Sequence, residues 1–598
     1  MKSINQPINE LIIKWIKKWY KDITAVIGLM IAVTMLLVYF LDIHCMDLSA
    51  PLSYLGGDEV SIITTARLVK DCGWNTGTDR ISATDDYYYN NNEIIAGLHN
   101  ADVLLVKFFL MVGGNNIATA ANLTFLAVFY LIAIVSYIVL RQLNLKEWLA
   151  ASGALVYAFL AFVFMRGLGH IALSSYYFVP LAVLMAIWVY EDERFMLICK
   201  DFFKYKKNIA GIIMALLVAT QGIGYWQVFG CFFILIAMVA GFLRTKDWKY
   251  INRGCTSIGC IIIGVMICCI PVFVTMLTAG GMDTGARYRG GTEAEVYGLK
   301  IVQLFLPVNG HGIDIWQELI DLYNDNMPLV NENKTAYIGF VGIIGFIFLI
   351  FWLFTNKKDD EAYRKRLTVL ADMNVCAVIL ATVGGVGSML YILGFNALRS
   401  YNRISVYIAF FCITAVCIVA QNLAEKIKKT EFRIAFSAAF VLFMMFAIWE
   451  QNPGNVLPHE YSRVRWNNEK EFVQNIENVM DEDDKIFQLP YVSYPEDEPH
   501  YSMGHMSHIA GYLHSDKLRW SFGTLYQSEN DKWYEQTAEL PVKDMVSAVV
   551  NKGFEGIYID RSGYSEEEWT RLENELAEYL NTEPIVSSHG VLSFFKIQ

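Results

Sequence analysis

Long apolar stretches separated by short polar segments dominate the chain as far as residue 450. A helix of roughly 17–25 mainly apolar residues crosses the hydrocarbon core of a membrane, and a soluble helix would show polar positions at helical spacing instead. The pattern therefore predicts about eleven membrane-spanning helices. They cover residues 23–41, 117–140, 149–164, 176–190, 209–221, 225–243, 257–277, 337–354, 370–393, 404–420 and 434–449.

Composition agrees with this pattern. Of the 598 residues, 55% are hydrophobic and 18% are charged, whereas soluble proteins are roughly 45–50% apolar and about 25% charged. The fold class predicted is an α-helical polytopic membrane protein. Cys45 and Cys72 both fall in the first long loop, where they either form a disulfide or remain free thiols.

Lysine and arginine residues recur on one predicted side of the membrane. They cluster in the N-terminus and again after every even-numbered span, for example at Lys204–Lys207 and Arg364–Arg366. The positive-inside rule places these segments in the cytoplasm. The predicted organisation is a basic cytoplasmic N-terminus (1–22), a membrane region (23–450) with large external loops at 42–116 and 278–336, and a domain at 451–598 outside the cell membrane.

The region after residue 450 differs from the rest in charge and periodicity. The chain's net charge is −11, and acidic residues concentrate in this region, which argues against nucleic acid as a partner. Segments 485–492, 548–561 and 591–598 have the pattern of strands, and 566–580 has that of an amphipathic helix. An α/β or α+β domain is expected, which would either recognise an acceptor or cover a site in the membrane region.

An acidic pair follows the first span. Gly56 and Gly57 permit a tight turn that presents Asp58 and Glu59 at the membrane boundary. Carboxylates at such a boundary commonly have a function when they are buried. The alternative is that Asp58 caps the following helix.

The same loop contains Asp85 and Asp86, followed by three tyrosines and three asparagines. Carboxylates, amides and aromatic rings together suit sugar binding, because they pair with hydroxyl groups and stack on apolar sugar faces. A solvated loop is the alternative.

Two arginines precede the tenth predicted span. Arg399 and Arg403 are four residues apart, so they share a face if the segment is helical. Guanidinium groups hold phosphate in a forked geometry, and arginines on the outer side run against the positive-inside tendency. A phosphate site is predicted, with lipid headgroups or pairing to Asp58 or Glu59 as alternatives.

The second external loop adds polar candidates, of which His311 and Glu332 are the clearest for substrate binding. None has metal-ligand spacing by itself. The pair His505 and His508 has the spacing of a metal site but no evident third ligand. No nucleotide-binding or hydrolase motif is present. The sequence identifies no cofactor with certainty, and a divalent cation is the alternative that it leaves open.

Several segments, in order, resemble those of bacterial YfhO-like membrane proteins related to the GT-C superfamily of glycosyltransferases. They are PLSYLGGDE, FMRGLGHIALSSYYFVPLAVL, QLFLPVNGH and LRSYNRISVYIAFF, with FQLPYVSYPEDEPHY in the C-terminal region. The resemblance implies a glycosyltransferase that moves a sugar, with inversion, from a polyprenyl-phosphate-linked donor to a cell-envelope acceptor such as teichoic acid, another polymer or a protein. By the same resemblance, Asp58 is the general base with Glu59 in a lesser role, and Arg399 and Arg403 hold the lipid phosphate.

Two other classes of function remain open at this stage. A transporter or flippase of lipid-linked saccharides would usually place polar groups at mid-membrane and show similar halves. Here the spans are apolar and the polar groups gather outside them. A non-catalytic protein of envelope assembly is the other alternative.

Overall fold

The computed structural model describes residues 8–72, 83, 101–222, 224–278, 293–328, 330–355, 362–394, 398–454, 457–494, 500–524 and 526–597. Its helices are α1 (Ile8–Leu41), α2 (Val60–Cys72), α3 (Ala101–Val112), α4 (Ile117–Gln142), α5 (Glu147–Ala158), α6 (Ala161–Arg166), α7 (Ile171–Ser174), α8 (Val179–Glu191), α9 (Lys206–Ala219), α10 (Tyr225–Thr245), α11 (Lys249–Thr278), α12 (Glu293–Val296), α13 (Asp314–Asn326), α14 (Gly339–Leu353), α15 (Ala362–Ala381), α16 (Val386–Ile392), α17 (Ser405–Lys426), α18 (Thr430–Trp449), α19 (His459–Glu477), α20 (Ala510–His514), α21 (Glu529–Ala538), α22 (Val542–Asn551) and α23 (Glu566–Leu580). The strands are β1 (Lys485–Leu489), β2 (Arg519–Trp520), β3 (Gly556–Asp560), β4 (Ile585–Val586) and β5 (Leu592–Lys596).

Within these residues, 8 helical segments are long and apolar enough to cross a membrane. They are Trp19–Leu41, Ile117–Gln142, Glu147–Arg166, Ile171–Glu191, Tyr225–Thr245, Lys249–Ile270, Tyr401–Lys426 and Thr430–Trp449. Each overlaps one of the predicted spans. The chain is therefore mostly helical and has the apolar helices of a multi-pass membrane protein.

The other three predicted spans correspond to helices that are shorter or more polar. Helices α9 and α14 have 14 and 15 residues, which gives each a length of roughly 21–23 Å at 1.5 Å per residue. Helix α15 has 20 residues but begins with the basic run Arg364–Arg366. The predicted count of about eleven stays a prediction, because these three helices decide it.

Burial separates central helices from peripheral ones. The most apolar windows of Tyr401–Lys426 and Ile171–Glu191 are both 83% buried, whereas that of Thr430–Trp449 is 17% buried. Helix α17 packs against α14, α15, α5 and α8, and α10 packs closely on α8. The exposed faces of the peripheral helices are apolar, as expected where lipid replaces water.

A mixed five-stranded sheet of order β2-β1-β3-β5-β4 lies in the C-terminal region. Strand β1 pairs in parallel with β2 and β3, and β5 runs antiparallel to both β3 and β4. The predicted strands at 485–492 and 591–598 contain β1 and β5, and the predicted helix has the bounds of α23. The predicted strand at 548–561 is partly wrong: residues 548–551 end α22, whose buried Val546 and Val549 continue a helical face, and only 556–560 is strand.

Helix α19 joins this sheet to the membrane helices. Trp466, Phe472 and Val473 on α19 belong to the same buried apolar cluster as residues of α1, α4 and α17. Cys45, in the turn that follows α1, is a free and exposed thiol. The C-terminal region is therefore packed against the turn that leaves the first membrane helix.

Candidate functional site

The turn between α1 and α2 is held by the C-terminal region. Arg465 of α19 donates to the carbonyl of Leu55 (2.7 Å) and to Oγ of Ser507 (3.0 Å), and the backbone N–H of Met506 donates to the carbonyl of Gly56 (2.8 Å). Gly56 has φ +88° and lies against Ser507 and Arg465. Only glycine adopts this backbone without strain and leaves room for these contacts.

Asp58 extends from this turn beside two histidines. Its carboxylate lies 3.4 Å from Nε2 of His505 and 3.7 Å from Nε2 of His170, and its side chain is 55% exposed. The hydrogen bond from His505 lowers the pKa of Asp58, opposed by partial burial and assisted by the charges of both histidines. The carboxylate contacts these histidines rather than capping α2, so it is an ionised and accessible acceptor for a proton.

Glu59 has a different role. Its Oε1 accepts hydrogen bonds from the backbone N–H groups of Leu55 (2.6 Å) and Gly57 (3.0 Å). The side chain therefore closes the turn that presents Asp58. This geometry agrees with the lesser role that the sequence assigned to Glu59.

Glu332 joins two buried arginines. Nη1 of Arg166 lies 2.7 Å from Oε2 of Glu332, and Nη2 of Arg403 lies 3.4 Å from the same oxygen. Burial alone would raise the pKa of Glu332, but the charges of Arg166 and Arg403 dominate and lower it to about 2. Two positive charges thus share one carboxylate, which leaves a net positive charge in a largely buried site.

Several donors of this arginine pair have no partner. Within the described part of the chain, Nε and Nη2 of Arg166 and Nε of Arg403 are buried without a hydrogen bond. Buried polar groups are nearly always paired, so each such group calls for an explanation. An anion with several oxygens, such as phosphate, would satisfy them in the geometry that guanidinium groups favour.

His170 connects the carboxylate to the arginines. It follows Arg166 by one turn, and its backbone N–H donates to the carbonyl of Arg166 (3.0 Å). Burial lowers the pKa of His170; Asp58 opposes the change, and Arg166 and Arg403 reinforce it. The site therefore consists of Asp58, two histidines and the pair Arg166–Arg403 with its counter-ion Glu332.

Arg399 and Arg403 do not share a helical face, contrary to the prediction. Residues 398–400 are irregular, and Tyr401–Ile404 forms a 3-10 turn before α17 begins. Arg399 instead lies 3.2 Å from Glu293, while Arg403 stacks 4.5 Å from the ring centre of Tyr225. Neither arginine pairs with Asp58 or Glu59, so that alternative is also wrong.

His311 lies in a separate buried group. Its Nε2 is 3.8 Å from Glu450, whose carboxylate also accepts hydrogen bonds from the Tyr337 hydroxyl (2.6 Å) and from the backbone N–H of Phe340 (2.8 Å). This group holds the ends of α14 and α18 together and is not brought to Asp58. Asp85 and Asp86 lie outside the described residues.

The candidate metal pair is separated in space. His505 faces Asp58, whereas the buried His508 bonds through Nε2 to the carbonyl of Pro490 (2.8 Å). Among the residues with a described position, no group of three or more histidine, cysteine, aspartate or glutamate side chains could hold a metal ion.

Sequence reasoning did not single out Arg166 and His170 as site residues. Both lie in the segment FMRGLGHIALSSYYF, just after the third predicted span. An arginine on the predicted outer side at that point carries the same signal that singled out Arg399 and Arg403. His505 could not have been found this way, because its place beside Asp58 depends on the docking of α19.

The chain is similar to a family model and to several solved structures. A family model described as a domain of unknown function (DUF6311) matches residues 107–393. No curated protein matches the chain. Among solved structures, ArnT from Cupriavidus metallidurans bound to undecaprenyl phosphate is similar, with 11% identity, a TM-score of 0.49, and coverage of 96% of this chain and 98% of ArnT.

The archaeal oligosaccharyltransferase AglB from Archaeoglobus fulgidus, in complex with an inhibitory peptide and a dolichol-phosphate, is similar at 12% identity with a TM-score of 0.45. That match covers 98% of this chain and 75% of AglB.

Proposed function

We propose that the protein is an integral-membrane glycosyltransferase that transfers a sugar from a polyprenyl-phosphate donor to a cell-envelope glycan or other envelope acceptor. The observation that carries this proposal is the arrangement of Asp58, an accessible carboxylate, close to two buried arginines with unpaired donors. Nε2 of His170 lies 3.7 Å from the Asp58 carboxylate, His170 follows Arg166 by one turn, and Gly169 lies against the backbone of Glu59. The family resemblance of PLSYLGGDE and FMRGLGHIALSSYYF supports the same assignment.

The carboxylate would act on the acceptor. Asp58 takes the proton of an acceptor hydroxyl while the hydroxyl oxygen forms a bond to the anomeric carbon of the donor sugar. General base assistance of this kind contributes roughly 10²–10⁴ in rate. Its lowered pKa keeps Asp58 ionised at neutral pH, so it is ready to accept the proton, and His505 and His170 hold it in place.

The arginines would act on the leaving group. As the anomeric C–O bond to the lipid phosphate breaks, negative charge grows on the phosphate oxygens. Arg166 and Arg403 supply fixed positive charge and donors for that charge, in a site that is largely closed to water. Attack opposite the departing phosphate inverts the anomeric carbon. In this proposal the site is on the extracytoplasmic side, with the N-terminus in the cytoplasm and the C-terminal region outside.

The experiment is replacement of the base without a change of size. Cells that produce Asp58→Asn at wild-type protein level are expected to lose the envelope glycan that the wild-type protein restores, as measured by mass spectrometry of envelope glycans. The exposed Asp42, in the same loop, provides the matched control Asp42→Asn, which is expected to keep activity. Full glycan transfer by Asp58→Asn would contradict the proposed base.

A further inference from the structure

A cavity lies within the C-terminal region, lined by residues of α19, the 502–507 segment and residues 560–562 and 589–592. It has a volume of about 400 Å³, which falls within the range of roughly 300–1,000 Å³ for ligand pockets. Its wall combines aromatic, aliphatic and polar side chains. Those that matter below are Tyr461, Val464, Asn468, Met503, Asp560 and Leu592.

The charges at the base of this cavity largely cancel. Arg465 donates from Nε to Glu469 (2.7 Å) and uses its other nitrogens on Leu55 and Ser507. The second oxygen of Glu469 accepts a hydrogen bond from the Tyr54 hydroxyl (2.7 Å). Each nitrogen of Arg465 and each carboxylate oxygen of Glu469 therefore has a partner within the protein, and the two opposite charges offset one another.

Two other buried polar groups do have capacity left. One oxygen of Asp560 accepts from the N–H and hydroxyl of Ser562, and its second oxygen has no partner among the described residues. The Asn468 amide makes a single hydrogen bond, to Ser588 (2.7 Å), so its other end is likewise unpaired within the described part of the chain. Asn468 is 8% exposed and Asp560 is 3% exposed.

A buried acceptor and a buried amide beside apolar and aromatic surface match a polyol. Hydroxyl groups of a sugar both donate and accept, and they would satisfy both groups at once. The apolar faces of a sugar ring would lie against Tyr461, Val464 and Leu592. The unpaired carboxylate oxygen of Asp560 needs a hydrogen-bond donor, which a sugar hydroxyl supplies and a fully ionised phosphate does not.

The cavity is continuous with the support of Asp58. Gly504 and Ser507 line it, and the residue between them that approaches Asp58 is His505. Gly504 packs directly on the backbone of Gly56. A saccharide held in the cavity is thus in contact with the segment that bounds the candidate site.

We propose that this cavity binds one or two sugar units of the acceptor glycan. That the bound saccharide is the acceptor rests on the proposed transferase function, but the binding of a saccharide does not depend on that function. The cavity belongs to α19, β3 and the 500–507 segment and contains none of the groups assigned to the donor.

The test measures binding of saccharide probes to the full chain in detergent micelles. The probes are the trisaccharides of glucose, mannose, galactose and N-acetylglucosamine. Binding of each probe is measured by isothermal titration calorimetry. At least one probe is expected to bind. Asn468→Leu, which keeps the branching at Cγ but replaces the amide by two methyl groups, is expected to weaken that binding by about fivefold or more through lost hydrogen bonds. Val464→Trp, which fills the cavity, is expected to weaken it by a similar factor through lost space.

The matched control is Val479→Trp. Val464 and Val479 are both 40% exposed, but Val479 is not part of the cavity wall, so its replacement is expected to leave binding unchanged. Failure of every probe to bind would overturn the proposal. So would binding by both Asn468→Leu and Val464→Trp that is as tight as binding by the wild type.

The same variants separate this inference from the proposed function. Saccharide binding together with undiminished transfer by Asp58→Asn would retain the cavity and reject the transferase assignment. Loss of transfer in Asp58→Asn without any saccharide binding would do the reverse.

Discussion

Nε2 of His505 lies 3.4 Å from a carboxylate oxygen of Asp58, although the two residues come from opposite ends of the chain. The hydrogen bond between them is the largest influence on the pKa of Asp58, and it lowers that pKa. The C-terminal region therefore supplies part of the electrostatic environment of the proposed base.

His505→Gln is expected to raise the pKa of Asp58 and to misplace its carboxylate. Transfer should fall by about tenfold to a hundredfold, and the acid limb of the pH–rate profile should move to higher pH, since less of the base is then ionised at a given pH. His500→Gln, in the same segment, serves as control. A lower rate with an unchanged acid limb would mean that His505 acts only through folding.

Glu332→Gln is expected to lower the stability of the protein and to increase its stabilisation by undecaprenyl phosphate. The change leaves Arg166 and Arg403 buried without a counter-ion, which typically costs about 3–5 kcal/mol. A phosphate can then replace the lost charge. Undecaprenyl phosphate should therefore raise the Tm of the variant by more than it raises that of the wild type, as measured by scanning fluorimetry in micelles.

Glu293→Gln is the matched control, because Glu293 pairs with Arg399 in the same way. Its response to undecaprenyl phosphate should equal that of the wild type. An equal or smaller response by Glu332→Gln would contradict the assignment of a phosphate to Arg166 and Arg403.

Gly56→Ala tests the support of the turn. A side chain at φ +88° is strained, and its Cβ would also collide with Ser507. We expect a loss of about 1–3 kcal/mol in the free energy of unfolding, together with a loss of transfer as Asp58 is displaced. Gly553→Ala provides the comparison: Gly553 has φ +83° with nothing within 4 Å, so it should lose stability but not activity at a temperature where both variants are folded.

His514 provides a prediction for acid stability. Burial, assisted by the charges of Lys470 and Arg67, lowers the pKa of His514 to about 3, against an ordinary value near 6.5. Between pH 6.5 and pH 3, the unfolded chain binds a proton at His514 that the folded chain does not bind. The free energy of unfolding therefore falls as the pH drops through this range, by about 1.4 kcal/mol for each pH unit.

His514→Phe keeps the ring contact with Trp466, whose centre lies 4.2 Å from that of His514, but removes the titration. The variant's Tm should therefore decrease less than that of the wild type between pH 6.5 and pH 4.5. An identical decrease would show that His514 is already protonated in the folded protein.

The apolar pattern predicted the helices better than the site. Long spans such as Ile117–Gln142 follow from local hydrophobicity alone, and α23 follows from the amphipathic pattern of residues 566–580. The presentation of Asp58 by Gly56 and Gly57 could also be predicted, since it requires only a turn. These features depend on neighbours in the sequence.

The rest of the site depends on contacts across the chain. Glu332 was a candidate on residue type, but nothing local indicated that it would join Arg166 to Arg403. Arg399 and Arg403 have helical spacing, yet the turn at Tyr401–Ile404 is 3-10 in form and sends them to different partners. Pairing of this kind is decided by tertiary packing, which no single segment encodes.

Arg465 donates a hydrogen bond to the carbonyl of Leu55 from a helix that lies 410 residues later in the chain. A truncated chain that contains all of the long apolar helices but ends before α19 would lack this hydrogen bond, the hydrogen bond from Met506 to Gly56 and the contact of His505 with Asp58. The turn that presents Asp58 would therefore reach its described geometry only after the C-terminal region has been synthesised and has docked.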